Sequence, residues 1–456
     1  MDLRKLDVLV EQSRDEMIET LKGWLSIPSV SIDDNVPGAP FGPECRRALD
    51  RALEDAKKLG FEVRDVDGYA GDISMGSGEK TMGMLCHLDV VPAGDGWTKD
   101  PFGGEIADGR IYGRGAMDDK GPAVAAMYAM KAVRDSGIKL NNGVRLILGC
   151  DEETGMNDMR YYASKYQMPD YGFSPDAEYP VINIEKGGLG ALLTKEMLPD
   201  VGEVPLYELY AGIRSNVVPG VAWAIIGAAP EIANGLNVTV EDLGDGKIKL
   251  IAEGVSAHAS TPELGKNAAG VLFGELAKIG AGGEVIRFLA EKIGLEGHGE
   301  SLGIAIEDEL SGKLTCNLGL LRYDGRIFSA HLDIRYPIAA NEEKILGQLA
   351  MTLSPAQIGV TRVSGRTPHH VPKEHRVVQQ LIEAYSEVTG EQGYAFAIGG
   401  GTYSRMMPNT VAFGINFPGD VDTCHMPDEY VDIEKFVKAT KIMAHAIARL
   451  AGEENE

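Results

Sequence analysis

The chain has 456 residues, 44% of them hydrophobic and 25% charged, ordinary values for a folded globular protein but too many residues for one core. Its formal net charge of −24 argues against nucleic acid and against anionic membrane surfaces, since both are bound by clustered Lys and Arg. No apolar run reaches bilayer length, and the charged, amphipathic start lacks the apolar core of a secretory leader.

Residues 3–25 carry apolar positions at three- and four-residue spacing and predict one helix. "TMGMLCHLDVV" is a short apolar run stopped by Pro92, as in a buried strand. It places His87 and Asp89 two apart, on one face of an extended chain. "KGPAVAAMYAMKAVRDSG" predicts a helix, with Pro122 in its first turn and Gly137 as its C-terminal cap. "GVRLILGCDEETG" is a second buried strand that runs into acids, "MNDMRYYASKY" is helical, and "PVINIEKGGLG" opens as a strand. Apolar strands alternating with helices predict an α/β fold with a mainly parallel sheet and helices on both faces.

The texture changes near residue 187. "KIKLIAEGVSAHAS" and "YDGRIFSAHLDIRYP" read as hairpin strands around "GDGK" and "YDGR", with the helix "KNAAGVLFGELAKIG" between them. From about residue 372 the chain returns to helix, Gly-rich loop, apolar strand and terminal helix, and "GEENE" reads as a frayed acidic tail. The expected organisation is a discontinuous first domain, 1–186 and 372–456, interrupted by an inserted α+β domain, 187–371. Within the insert, "SNVVPGVAWAII" and "CNLGLLRYDGRIFSAHLDIRYP" each put an Asn before an apolar strand, as two similar halves would. The five cysteines, Cys45, Cys86, Cys150, Cys316 and Cys424, show no paired spacing. They are expected to be reduced, small core side chains in a cytoplasmic protein.

In an open α/β sheet, ligands bind beyond the carboxyl ends of the strands. Five polar clusters follow strand-like runs here: His87 with Asp89; Asp118 and Asp119; Asp151, Glu152 and Glu153; Asp176 with Glu178; and His425. A single carboxylate at a strand end is ordinarily a cap, but five such clusters exceed what capping requires. Carboxylates with two histidines suit zinc or manganese. Crowded carboxylates repel unless cations neutralise them, and two ions roughly 3.5–4 Å apart can share one carboxylate and acidify a common water. On that reading His87 binds metal and Asp89 accepts its other ring proton, fixing the tautomer. Of the adjacent Glu152 and Glu153, one binds metal while the other faces the water as general base.

"HLDVVP", "GRGAMDDKGP", "DEETG", "SPDAEYP" and "CHMPDE", in this order, resemble the M20 family of co-catalytic metallopeptidases, most closely its PepV-type dipeptidases. The resemblance covers essentially the whole chain. It implies a di-metal exopeptidase-like catalytic domain with an inserted lid, acting on unblocked dipeptides. His87, Asp118 and Asp176 would hold one metal. Asp118, Glu153 and His425 would hold the other. Glu152 would be the general base and Asp89 the partner of His87. A cis peptide is expected between Asp118 and Asp119. "GVSAHAS" matches the lid motif whose histidine, here His258, stabilises the oxyanion. Asn216 and Arg335 resemble substrate-contacting positions, and Gly399, Gly400 and Gly401 the loop that receives the substrate carboxylate through its amides. The long insert implies a functional monomer that supplies His258 from its own chain. Two Zn2+ ions suit the ligands, with Mn2+ or Co2+ accepting the same set.

Three other readings stand beside this one. The glycines of "AIGGGTYSR" could cradle a phosphate in a nucleotide-dependent enzyme, but no Gly-Lys-Ser/Thr follows. A non-catalytic metal protein would need neither Glu152 nor His258. An N-acyl amino acid deacylase would use the same metals and base and differ only in lacking a pocket for the free α-amine.

Overall fold

The computed structural model describes residues 3–34, 36–200 and 202–452; the last four residues of the expected acidic tail lie outside the described residues. The chain forms two compact units. One comprises the described parts of Met1–Asn183, Val371–Phe396 and Gly401–Glu456, the other those of Ile184–His370 and Ala397–Gly400. No helix among the described residues is long and apolar enough to cross a membrane.

The first unit is built on a mixed sheet whose centre is parallel. Gly143–Gly149 pairs with Thr81–His87, Thr81–His87 with Tyr171–Ser174, and Tyr171–Ser174 with Thr410–Ala412, all in parallel. The antiparallel hairpin Glu62–Val66 and Ala70–Met75 extends one side, and Val181–Glu185 pairs antiparallel on the other. Alternation along Thr81–His87 divides its side chains between the two faces. Met82, Met84 and Cys86 enter a large core shared with helices Arg4–Gln12, Arg14–Leu25, Pro43–Lys58, Lys120–Ser136 and Ile433–Ala451. Leu85 enters a smaller core on the opposite face with Ile147, Met159, Tyr162 and Tyr403. Helix Asn157–Lys165 supplies two of those residues, so helices cover both faces.

The helix expected over residues 3–25 is two helices, Arg4–Gln12 and Arg14–Leu25. Ser13 divides them. Its amide bonds the Val10 carbonyl at 3.0 Å and its hydroxyl donates back to Leu9 O at 3.1 Å, a local competition with the helical ladder that periodicity does not register. Helix Lys120–Ser136 ends on Gly137, whose φ of 78° is the left-handed cap expected there.

The second unit carries an eight-stranded antiparallel sheet. Its order is Thr239–Gly244, Lys247–Glu253, Val221–Ile226, Leu206–Ala211, Thr315–Tyr323, Ile327–Tyr336, Gly187–Glu196 and Gly359–Arg366. Helices Ala268–Lys278, Gly283–Lys292 and Glu342–Leu353 share one apolar core with it. The "GDGK" hairpin turns on Asp245 and Gly246, both at positive φ. The "YDGR" hairpin is held by Asp324, whose carboxylate accepts from the amides of Arg326 and Ile327 at 3.0 and 2.8 Å.

Candidate two-cation active site

Four parallel strands end together, and the polar clusters lie beyond their carboxyl ends. His87 is the last residue of its strand, Asp151–Glu153 follow Gly143–Gly149, Asp176 follows Tyr171–Ser174, and His425 lies on the segment after Thr410–Ala412. Asp118 immediately precedes the cap of helix Lys120–Ser136, across a cis Asp118–Asp119 peptide. Six of the proposed side chains converge. His87, Glu152 and Asp176 form one group, and Asp118, Glu153 and His425 a second, with ligand atoms in each group within 4.8 Å of one another. Asp118 turns one oxygen to each imidazole, Oδ1 at 2.9 Å from His87 Nε2 and Oδ2 at 3.0 Å from His425 Nε2. Glu153 Oε1 lies 2.9 Å from His425 Nε2, and Asp176 Oδ2 3.7 Å from His87 Nε2.

His87 shows why this donor set fits cations. Its strand stops at the imidazole, so Asp89 lies past the strand end, where the two-residue alternation no longer places it. The Asp89 backbone oxygen, 2.9 Å from Nδ1, can only accept, so Nδ1 carries the proton; the Asp89 carboxylate stands back at 3.4 Å. In the neutral ring Nε2 is then a bare lone pair facing carboxylates. It is buried and makes no aligned hydrogen bond. A cation satisfies both sides of that contact.

The electrostatics point the same way. Burial disfavours the charged form of His87, but the carboxylates of Asp118 and Asp89 outweigh it and hold the ring well above the usual histidine range. Burial also opposes charge on His425, yet Asp118 and Glu153 raise it to about 10. Asp118 lies half-buried between two imidazoles; desolvation opposes its charge, but the imidazoles outweigh it and drive it below the usual carboxylate range. Glu152, Glu153 and Asp176 are raised, first by burial and then by neighbouring carboxylates. Without cations the cluster therefore stores protons, which bound cations would displace.

Four buried residues shape the site: Asp119 and Asp89, which the sequence offers, and Asp158 and Tyr403, which it does not single out. Asp119 accepts from the His87 amide at 2.9 Å. The Asp89 carboxylate receives the amides of Glu152 and Glu153 at 3.2 and 3.1 Å, so its contact with the acid turn is direct. Asp158 accepts from the amides of Cys150 and Asp151 at 2.6 and 2.8 Å and from the Tyr403 hydroxyl. The Tyr403 ring meets His87 edge-on, with centroids 6.1 Å apart. Tyr403 stands inside the quoted "AIGGGTYSR", a signal the sequence offers; Asp158, within a segment read only as helical, carries none. All five cysteines are free thiols, four of them buried.

His258, Asn216, Arg335, Gly399 and Gly400 belong to the second unit, Gly401 to the first. His258 is exposed. The Ser260 amide donates to its Nδ1 at 3.2 Å, so the neutral ring carries its proton on Nε2. The Asn216 carbonyl accepts from Ala259 N at 2.9 Å, beside the bridge between Val217 and His258. Arg335 forms a two-pronged pair with Asp333 at 2.6 and 2.8 Å. Gly399 presents its carbonyl to Arg335 at 3.4 Å and to Arg366 at 2.9 Å.

Residues 83–449 match the model described as Peptidase family M20/M25/M40. The chain is 38% identical over 463 residues to "Putative dipeptidase YtjP" of Bacillus subtilis, covering 98% of this chain and 99% of that one. It is 34% identical over 464 residues to "Putative dipeptidase SSP1012" of Staphylococcus saprophyticus, with the same coverage. Among solved structures, human carnosine dipeptidase 1 aligns with a TM-score of 0.61 at 18% identity over 99% of both chains. Aminoacylhistidine dipeptidase from Vibrio alginolyticus aligns with a TM-score of 0.57 at 16% identity over 96% of both. At those identities the structures speak to the fold alone. The chain belongs to peptidase family M20, a metal-dependent and typically dinuclear family, and is a peptide-bond hydrolase.

Proposed function

We propose that the protein is a metal-dependent dipeptidase that hydrolyses the single peptide bond of unblocked dipeptides. One observation carries the reading: Asp118 offers one oxygen to each of two imidazoles, each imidazole within a group of ligand-type side chains. His87, Asp118 and Asp176 would hold one divalent cation, and Asp118, Glu153 and His425 the other. Zn2+ suits these nitrogen and oxygen donors, and Mn2+ or Co2+ accepts them. Such a pair, when bound, supplies the acidity that makes water a nucleophile near neutral pH and polarises a carbonyl.

The chain's own residues do the rest. Glu152, half-buried and raised in pKa, accepts the proton of the attacking water and returns it to the leaving amine. Asp89 and Asp119 hold the His87 ring and backbone. His258 offers an Nε2–H donor to the oxygen on which negative charge develops. Asn216, Arg335 and the Gly399–Gly401 loop are assigned to substrate binding. The reading extends to a monomer acting in the cytoplasm.

The test is hydrolysis of a free dipeptide beside its N-acetylated twin, by cation-loaded and by chelator-treated protein. Cleavage of the free dipeptide alone, lost on chelation, is expected. Cleavage of the acetylated twin in its place would make the protein an N-acyl amino acid deacylase with the same site.

A further inference from the structure

Glu429 is a buried carboxylate that the proposed chemistry leaves unused. One of its oxygens, Oε1, accepts three backbone amides: Gly115 at 3.1 Å, Met117 at 2.8 Å and Asp118 at 3.2 Å. Oε2 takes Arg114 Nη1 at 2.5 Å, and the Glu429 carbonyl takes Gly113 N at 2.9 Å. Arg114 is itself buried, its guanidinium over the Trp97 ring and one nitrogen on Ala93 O. A single side chain thus accepts three of the six amides of the 113–118 loop; Arg114 N bonds Pro101 O at 2.8 Å and Ala116 N bonds Gly113 O at 3.0 Å.

The same residue closes the segment that begins at His425. That segment is irregular, with His425 and Asp428 both at positive φ. Asp428 ties it to Thr98 through the amide and hydroxyl, each at 2.8 Å. The 113–118 loop and the 425–429 segment both leave one short ladder, Arg110–Tyr112 paired antiparallel with Tyr430–Asp432, which fixes them at residues 112 and 430 but reaches neither Asp118 nor His425, whereas His87 ends a strand paired on both sides. Beyond that ladder, the Glu429 carboxylate is the acceptor of the Gly115, Met117 and Asp118 amides, so it ties the end of the loop that carries Asp118 to the segment that carries His425.

We propose that Glu429 is a positioning residue for the Asp118, Glu153 and His425 group, locking the loop that carries Asp118 to the segment that carries His425. The inference rests on the reading that this group holds a cation. Its loss weakens that position most, because both Asp118 and His425 shift there, whereas the other cation shares only Asp118 and keeps His87 and Asp176.

The test is calorimetric titration of the chelator-stripped full chain with Zn2+, for wild type, Glu429→Gln and Glu429→Asp. The Gln side chain keeps the volume but sets an N–H either against the three amides or against Arg114; Asp falls one methylene short. In both variants two ions are expected, one bound about 10–100-fold more weakly than in wild type, with turnover regained when Zn2+ is raised. Leu49→Ala, a core truncation in helix Pro43–Lys58, is the control: it lowers stability and leaves both affinities unchanged. A folded Glu429→Gln or Glu429→Asp protein with both wild-type affinities overturns the proposal. If Glu429→Gln does not fold, Glu429→Asp decides alone by the same criterion. A wild-type protein that takes up fewer than two ions refutes the two-cation reading itself, a result distinguishable because it appears before any substitution is made.

Discussion

Replacing Asp158 by asparagine removes one titrating group from beneath the turn that carries Glu152 and Glu153. Asp158 is fully buried, and its pKa is raised to about 7, first by burial and then by Asp89, against the hydrogen bonds from Tyr403, Met159 N and Cys150 N that favour its charge. In the unfolded chain an aspartate titrates near 3.9. The folded value is the higher one, so the folded state binds the extra proton between those limits. The stabilisation this contributes is complete below about pH 4 and is lost as pH rises to about 7. A rise from about 3.9 to about 7 corresponds to about 4 kcal/mol. The asparagine variant lacks this dependence. It carries a pH-independent cost, because its amide nitrogen would meet either Met159 N or the cluster of donors on the other oxygen. Urea denaturation of chelator-treated wild type and Asp158→Asn at matched pH isolates the effect, since the other buried carboxylates contribute equally to both. The stability of wild type relative to the variant should fall by about 4 kcal/mol between pH 4 and pH 7. A difference constant to within about 1 kcal/mol across that range would refute the reasoning.

Glu152→Gln keeps the shape of the proposed base and removes its basicity. Turnover should drop about 10²–10⁴-fold with two cations still bound by elemental analysis; near-normal turnover would remove Glu152 from the role. Cation uptake should release protons, because His425 titrates near 10 and His87, Glu152 and Asp176 are all raised in the cation-free chain. Protons compete with cations, so affinity should fall as pH is lowered. Calorimetry in two buffers of different ionisation enthalpy counts the protons, and a count of zero contradicts the protonated cluster. Gly172→Ala places a Cβ against the carbonyl oxygen of Gly83, its partner across the parallel pair. The strands must part, at a cost of about 1–3 kcal/mol, read as a lowered denaturation midpoint; an unchanged midpoint would show that the pair yields freely.

Much of the candidate site is legible in the linear chain because its signals are local. An apolar run that stops at a His or a row of acids is visible within a dozen residues, and His87, Asp118, Glu152, Glu153, Asp176 and His425 each stand at such a place. The helix cap at Gly137 and the two hairpin turns are local for the same reason: a left-handed φ or a side chain bonded two residues on needs no distant partner. The break at Ser13 is local yet not legible, because a hydroxyl choosing Leu9 O over water depends on burial that the sequence does not state. Alternation puts Asp89 on the same strand face as His87, but the strand ends at His87, and where it ends is set by its pairing partners. What only the tertiary structure decides is which strand lies beside which, and hence who answers a buried charge. Asp158 meets Tyr403 across 245 positions, and Glu429 meets the amides of residues 115–118 across more than 300. Periodicity and turn chemistry act over a few residues, whereas the partner of a buried carboxylate is whichever donor the sheet order brings within 3 Å of it, and no local rule carries that information.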